Sequence, residues 1–482
     1  MCLTVLSFGL CTAHTFAESQ AQNHESNHPA YLKTISPGKL KEDLDFLFKT
    51  IVEVHPDMYA YTIKENFDSR REQLYRDINR PMSGLEFYKL VAPVVASLKN
   101  GHTYMRPPEG AFAEYVLKGG KRIPLVLCWN GTNVILKSYV NPIDMPVGGE
   151  VLTIENQNAK EFLTKLARYL PSENKAYNLG FLERRDILSM FLWLDKREAE
   201  SLKLRIKNTQ GTVEEYNIQS LSKTEIESEI ENNKLKYQTM ASSVGKNARY
   251  TYRFIPDDNT GLIEFNSFRD LEKFRAFLNE TFKELREQNV SNLIIDIRKN
   301  PGGSSSLGDE FLKFLTDKPF LQYERVDIKI SAQLCKVQKW IKRKYFFARK
   351  GSIKSLKGNL IRPGKNPLRF SGQTFILIGQ RTASSAVSFA QTIKHFDIGT
   401  LVGQETEDTL VNYGDCPSFT LSHSGLTFSV AAKRFVCAGG KPDGRGVIPD
   451  YEVKQKPEDT AKGVDTVLQL TLNLIRDGDR FR

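Results

Sequence analysis

The sequence predicts an α/β protein built from three differently patterned stretches. Residues 36–99 repeat apolar side chains at helical spacing, residues 106–250 carry short β-rich runs separated by Gly, Pro and Asn, and from Arg249 strands alternate with amphipathic helices. At 482 residues the chain exceeds one ordinary hydrophobic core, so two or three domains are expected.

In the first stretch Leu40, Leu44, Leu47, Phe48, Ile51 and Val52 share one helix face. Phe67 to Ile78 and Ser83 to Leu98 continue in that style, with Ser83 and Glu86 spaced as a capping box. This helical domain, 36–105, closes through Lys99-Asn100-Gly101-His102-Thr103. Residues 106–220 form the β-rich unit. Ile123 to Leu127, Asn133 to Tyr139 and Glu150 to Ile154 read as strands, Lys160 to Tyr169 as a helix, and Leu202 to Ile206 with Glu214 to Ile218 as a hairpin. Residues 221–248 are polar and read as a linker. In 249–482, strands are expected at Gly261 to Phe265, Leu293 to Ile297 and Thr374 to Ile378. Helices are expected at Leu271 to Gln288, Ser306 to Leu315 and Ser384 to His395, with a hairpin around His423-Ser424-Gly425.

The N-terminus differs from the rest. Leu3 to Leu10 is apolar and Thr15-Phe16-Ala17 suits a signal peptidase, although no basic residue precedes Lys33. Residues 1–17 therefore read as a secretory signal and 18–35 as a flexible spacer. The expected location is outside the cytoplasm, periplasmic or extracellular, and nucleic acid is not an expected partner. No run of about 18 apolar residues suggests a membrane-spanning helix. Past the leader, Cys128, Cys335, Cys416 and Cys437 show no metal-ligand spacing, so neither a metal nor a cofactor is expected. Cys416 and Cys437 flank a hairpin and could pair, though separate thiols are the default.

The net charge of +11 is local. Residues 325–369 hold 14 Lys or Arg against one acid, Asp327, so this window alone exceeds the charge of the whole chain. It reads as a solvated basic insert that could attract acidic peptide tails or an anionic membrane surface.

Ser384 stands where a strand, a Gly-Gln-Arg-Thr-Ala turn and a helix meet. A serine there is usually an N-cap. The same position suits a nucleophile, because helix N-terminal amides stabilise an oxyanion. Such a serine needs a base. Of seven histidines, three precede residue 36, and His395 closes the Ser384 helix about 16 Å away. His102, beside Asn100-Gly101 at an element boundary, remains the best base, with a structural turn as the alternative. Asn300-Pro301-Gly302-Gly303 follows a buried strand and could offer an oxyanion hole or a plain turn. Asp296 and Arg298 could pair on that strand. Asp443 in Pro442-Asp443-Gly444-Arg445 could orient a histidine or merely make a turn.

Six pieces in order resemble serine peptidase family forty-one, which includes the tail-specific processing peptidases and tricorn protease. They are Val54-His55-Pro56, Gly101-His102-Thr103, Ile295 to Gly303, Thr382-Ala383-Ser384-Ser385-Ala386, Val402 to Thr406 and Asp443 to Asp450. The resemblance, over roughly residues 36 to 455, implies a crotonase-like (ClpP-like) α/β core and serine peptidase activity on exported peptides or protein tails. The processing branch pairs its serine with a lysine about 25 residues on, where this chain has Thr409. The tricorn-like branch implies instead Ser384 as nucleophile, His102 as base and Asp443 as acid, with amides of Gly302 or Gly303 and of Ser385 around the oxyanion. Two departures stand out. Val387-Ser388 replaces the family's frequent Glu, and Asp443 is one methylene shorter than the tricorn acid. Gly149 to Asn156 weakly resembles a PDZ domain, which would bind peptide ends by strand addition. A non-catalytic carrier of a hydrophobic ligand or peptide is the alternative on the same fold. An esterase lacks support, since no G-x-S-x-G elbow occurs.

Overall fold

The computed structural model describes residues 33–171, 173, 179, 185–196, 199–233 and 248–480. The expected leader, nearly all of the spacer, and residues 234–247 of the expected linker lie outside them.

The chain forms a mixed α/β structure with several sheets. One sheet positions the candidate nucleophile. Its six strands run in the order Tyr250–Ile255, Thr260–Phe265, Asn292–Asp296, Gln373–Ile378, Thr400–Gly403 and Tyr451–Glu452. The first pair is antiparallel and the others are parallel. Strand alternation splits the apolar residues between two faces. Ile263, Ile295 and Ile376 pack under Phe274, Phe282, Phe311 and Phe389 from the helices Leu271–Glu287, Ser306–Leu315 and Ser385–His395. Leu262, Ile294, Phe375 and Leu377 pack on the opposite face against Val467, Leu472 and Ile475 of Thr466–Arg480. Each fully buried Phe or Leu side chain contributes roughly 1.5–3 kcal/mol, so two covered faces make this sheet a rigid base.

The helices Pro37–Val54, Lys64–Asp77 and Gly84–Ala96 share a second apolar core with the β-rich unit. That unit is a sheet in the order Leu125–Trp129, Val134–Tyr139, Glu150–Ile154, Ser201–Lys207 and Val213–Gln219, with Gln157–Asn158 beside Glu150–Ile154. Helices at Glu109–Leu117 and Arg185–Lys196 are additions to the sequence reading. Ser83 and Glu86 form the expected capping box.

Two segments differ from expectation. Residues 221–248 are not simply a linker. Lys223–Asn232 is a helix opened by a Ser222–Glu225 capping box, and Ile226 is buried beside Val140. The polar composition hid a helix anchored by Ile226 and, one turn on, the partly buried Ile230. The basic window is not a loose insert either. Tyr323–Lys329 and Ile353–Lys357 form half of a four-stranded antiparallel sheet with Lys433–Cys437 and Val411–Gly414. Lysines on its edge strand leave the backbone pattern intact while keeping the surface wet. No disulfide joins Cys416 to Cys437.

Candidate active site

The strand Gln373–Ile378 delivers the chain to a tight turn. Thr382 Oγ1 accepts from Gly379 N at 3.0 Å and donates to Ile297 O at 3.0 Å. Ala383 N donates to Asn300 O at 3.0 Å. Ser384 follows at φ 53°, ψ −123°, a positive φ that non-glycine residues rarely adopt, and the helix Ser385–His395 starts next. Its side chain makes no capping bond to the helix. The plain N-cap reading therefore fails. A strained strand-to-helix turn leaves the Ser384 hydroxyl unused by the helix, as a nucleophile requires.

The Asn300-Pro301-Gly302-Gly303 turn packs directly on this serine. A Cβ at Gly302 would lie 2.7 Å from Ser384 Cβ and 2.8 Å from Ser385 N, so only glycine permits the approach. Buried Asn300 secures the turn by donating to Phe265 O at 2.6 Å and accepting from Gly302 N at 2.9 Å. That last bond uses the Gly302 amide. Of the expected oxyanion donors, Gly303 N and Ser385 N keep no acceptor among the described residues, whereas Gly302 serves by its missing side chain. Ser385 Oγ ties the two turns together by donating to Gly303 O at 2.6 Å.

The His102 turn is fixed because its neighbours are stitched to the core. Tyr104–Met105 pairs with Thr427–Ser429, and Thr103 Oγ1 accepts from Ala431 N at 3.1 Å. Asn100 Oδ1 accepts from His102 N at 3.2 Å. The His102 Nδ1 is buried without a hydrogen-bond partner among the described residues. His55 Nε2 is likewise buried without a partner among the described residues. Burial pushes His55 down to about 3, and its Nδ1 accepts from Asp57 N at 3.0 Å. His423 pairs with Glu42 at 2.7 Å.

The acid expected from the sequence is elsewhere. Asp443 lies exposed on a surface turn, where its Oδ1 accepts from Arg445 N at 3.0 Å. It lines a surface hollow with Gln391, Lys394 and His395, at the end of the helix opposite Ser384. The structure does not bring it to His102, because the short Asx-type turn closes on itself. A different carboxylate occupies the site. Asp408, only 2% exposed, accepts from Ser384 N through Oδ2, and a Cβ at Gly101 would stand 3.6 Å from its Oδ1. One carboxylate thus faces both the serine turn and the histidine turn.

Asp408 is backed by a polar cluster that the sequence did not reveal. Thr409, at the position of the family's lysine, donates to Glu173 at 3.1 Å and lies 3.2 Å from Tyr61 Oη. Asn100 Nδ2 donates to Glu173 at 3.4 Å. Burial, and then the negative charge of Asp408, hold the Glu173 carboxyl well above the usual carboxylate range. Asp408 stood in the sequence beside Thr409 with no motif to mark it, and Glu173 is 235 positions away from it. Only tertiary contact joins them. The Asp296–Arg298 pair is present at 2.6 Å and extends to Asp465, also at 2.6 Å.

Residues 259–453 match the model of peptidase family S41. Among solved structures the chain is similar to mature CPAF, with 15% identity, TM-score 0.62, and coverage of 92% of this chain and 98% of that one. It is likewise similar to mature CPAF complexed with lactacystin, with 14% identity, TM-score 0.63, and coverage of 92% and 99%. At such identities the likeness speaks to the fold. The photosystem II D1 C-terminal processing protease overlays less closely, with 15% identity, TM-score 0.43, and coverage of 91% and 96%.

Proposed function

We propose that the chain, whose residues 259–453 match the model of peptidase family S41, is a serine-type peptidase that cuts peptide bonds with Ser384 as nucleophile and His102 as general base. The observation that carries this reading is the strained Ser384 turn, with its hydroxyl uncapped and Gly302 pressed against it. Ser384 Oγ attacks the substrate carbonyl carbon while His102 accepts the hydroxyl proton. The oxyanion forms between Gly303 N–H and Ser385 N–H. His102 then returns the proton to the leaving amine, and water repeats the sequence on the acyl-enzyme.

The acid that serves this pair is Asp408 rather than Asp443. Its carboxylate lies against Gly101, the residue before His102 in the chain, and would stabilise the imidazolium as it forms. The catalytic core is of the crotonase-like type, with Ser384 at a helix N-terminus. The β-rich unit acts as a PDZ-like peptide-end binder, supported by its antiparallel sheet and flanking helix Ala159–Leu166. Substrates are exported peptides or protein tails, consistent with the signal-like leader in the sequence.

Labelling with a fluorophosphonate probe tests the assignment. Wild type is expected to label, and Ser384→Ala and His102→Ala to lose labelling. Labelling that survives both changes would sink it. A wild type that neither labels nor cleaves an unfolded polypeptide would turn the reading toward a carrier.

A further inference from the structure

Between the strands Tyr323–Lys329 and Ile353–Lys357 the chain makes one excursion through the short helices Ala332–Val337 and Lys339–Lys344. Its root is firmly held. Leu334, Cys335 and Ile341 are buried in the core that includes the helix Pro37–Val54. Ile330 closes the base of the excursion, with its O accepting from Gly351 N at 2.7 Å and its N donating to Ser352 O at 2.9 Å.

The tip is of another character. Phe346 and Phe347 are 67% and 96% exposed, and their rings meet edge to face at 5.1 Å. Lys339, Lys342, Arg343, Lys344, Arg349 and Lys350 surround them in sequence, all exposed. None of these six cations has an ion-pair partner among the described residues. The single acid of the window, Asp327, is already engaged by Arg434 at 3.1 Å and by Ser355 at 2.7 Å. Two bare aromatic rings flanked in sequence by unneutralised cations are costly to keep in water unless something covers them.

We propose that this tip docks the protein onto an anionic lipid bilayer. The charge is complementary to acidic headgroups. The two phenylalanines form a protruding wedge that can enter the headgroup boundary, while the lysine and arginine stems snorkel toward phosphates. The shape favours a bilayer over single-stranded nucleic acid. The rings stand at 89° to each other, so they offer no pair of parallel platforms for successive bases. Docking here would hold the peptidase core at the membrane surface without a spanning helix.

Sedimentation of the full chain with vesicles of phosphatidylcholine alone, or containing about a third phosphatidylglycerol, tests this. Wild type is expected to bind the anionic vesicles at least tenfold more tightly, and the preference to shrink at high salt. K342Q/R343Q/K344Q is expected to weaken binding by about a hundredfold, at about fivefold per cation. F346S/F347S is expected to weaken it by about tenfold while retaining the salt dependence. The altered side chains are exposed, so unchanged melting and fluorophosphonate labelling would confirm folded variants. Phe347→Trp should show blue-shifted emission only with anionic vesicles. Wild-type binding by F346S/F347S, equal binding to neutral vesicles, or no binding to either would overturn the proposal. So would capture of single-stranded DNA or polyglutamate by wild type, lost in the same variants, with no capture by vesicles.

Discussion

The loops carrying Asp408 and Asp443 touch each other but give their carboxylates opposite fates. Arg445 binds Glu405 through two bonds of 3.0 Å, Gly446 N donates to Glu405 at 2.8 Å, and Leu410 N donates to Arg445 O at 3.0 Å. Between these ties, Asp408 turns inward to the Ser384 amide, whereas Asp443 stays on a surface turn. A carboxylate in water is screened and spends little free energy on a histidine. One removed from water must find donors and then orients whatever it touches. The difference makes burial, rather than motif spacing, the ground on which Asp408 is proposed as the acid.

The comparison can be broken or sharpened by substitution. Ser384→Ala removes the nucleophile common to either assignment and should lower peptide hydrolysis by roughly a thousandfold or more. Retained turnover would discard both. Asp408→Asn should lower kcat/KM by about a hundredfold or more, whereas Asp443→Asn should stay within about threefold of wild type. The reverse ranking would restore the surface acid. Gly302→Ala adds a Cβ at φ 87° against Ser384 Cβ, 2.7 Å away. It should destabilise by about 1–3 kcal/mol in urea unfolding and depress probe labelling. An unaffected midpoint would contradict the close packing of the two turns.

The smallest effect concerns Glu173. Its carboxyl holds a proton to higher pH in the folded protein than in the unfolded chain, where the ordinary value is 4.5. A group raised in this way contributes fully below its unfolded value, and that contribution is lost as pH rises through the folded value. Glu173→Gln should therefore gain on wild type as pH increases from about 4.5. Parallel stability curves from acid to neutral pH would show that Glu173 is not held protonated beside Asp408.

Much of the core was legible because its signals are local. Leu293 to Ile297 announced a buried strand by an unbroken apolar, β-branched run, and Ser83 with Glu86 announced a helix start. The strands of the basic window were not legible because lysines on an edge strand carry no apolar alternation to mark it. The helix Lys223–Asn232 was hidden because only Ile226 and the partly buried Ile230 anchor it.

At the site, the sequence could nominate Ser384, His102 and the glycine turn, since each belongs to a short motif at an element boundary. It could not choose the acid. Thr409, where the resemblance would place a lysine, left a Ser-Lys pair without support. The role proposed for Asp408, one residue earlier, rests on folding alone, which encloses it with Gly101, Ser384 and the distant Glu173. Burial is a property of the assembled chain, and burial is what separates an orienting carboxylate from a solvated one.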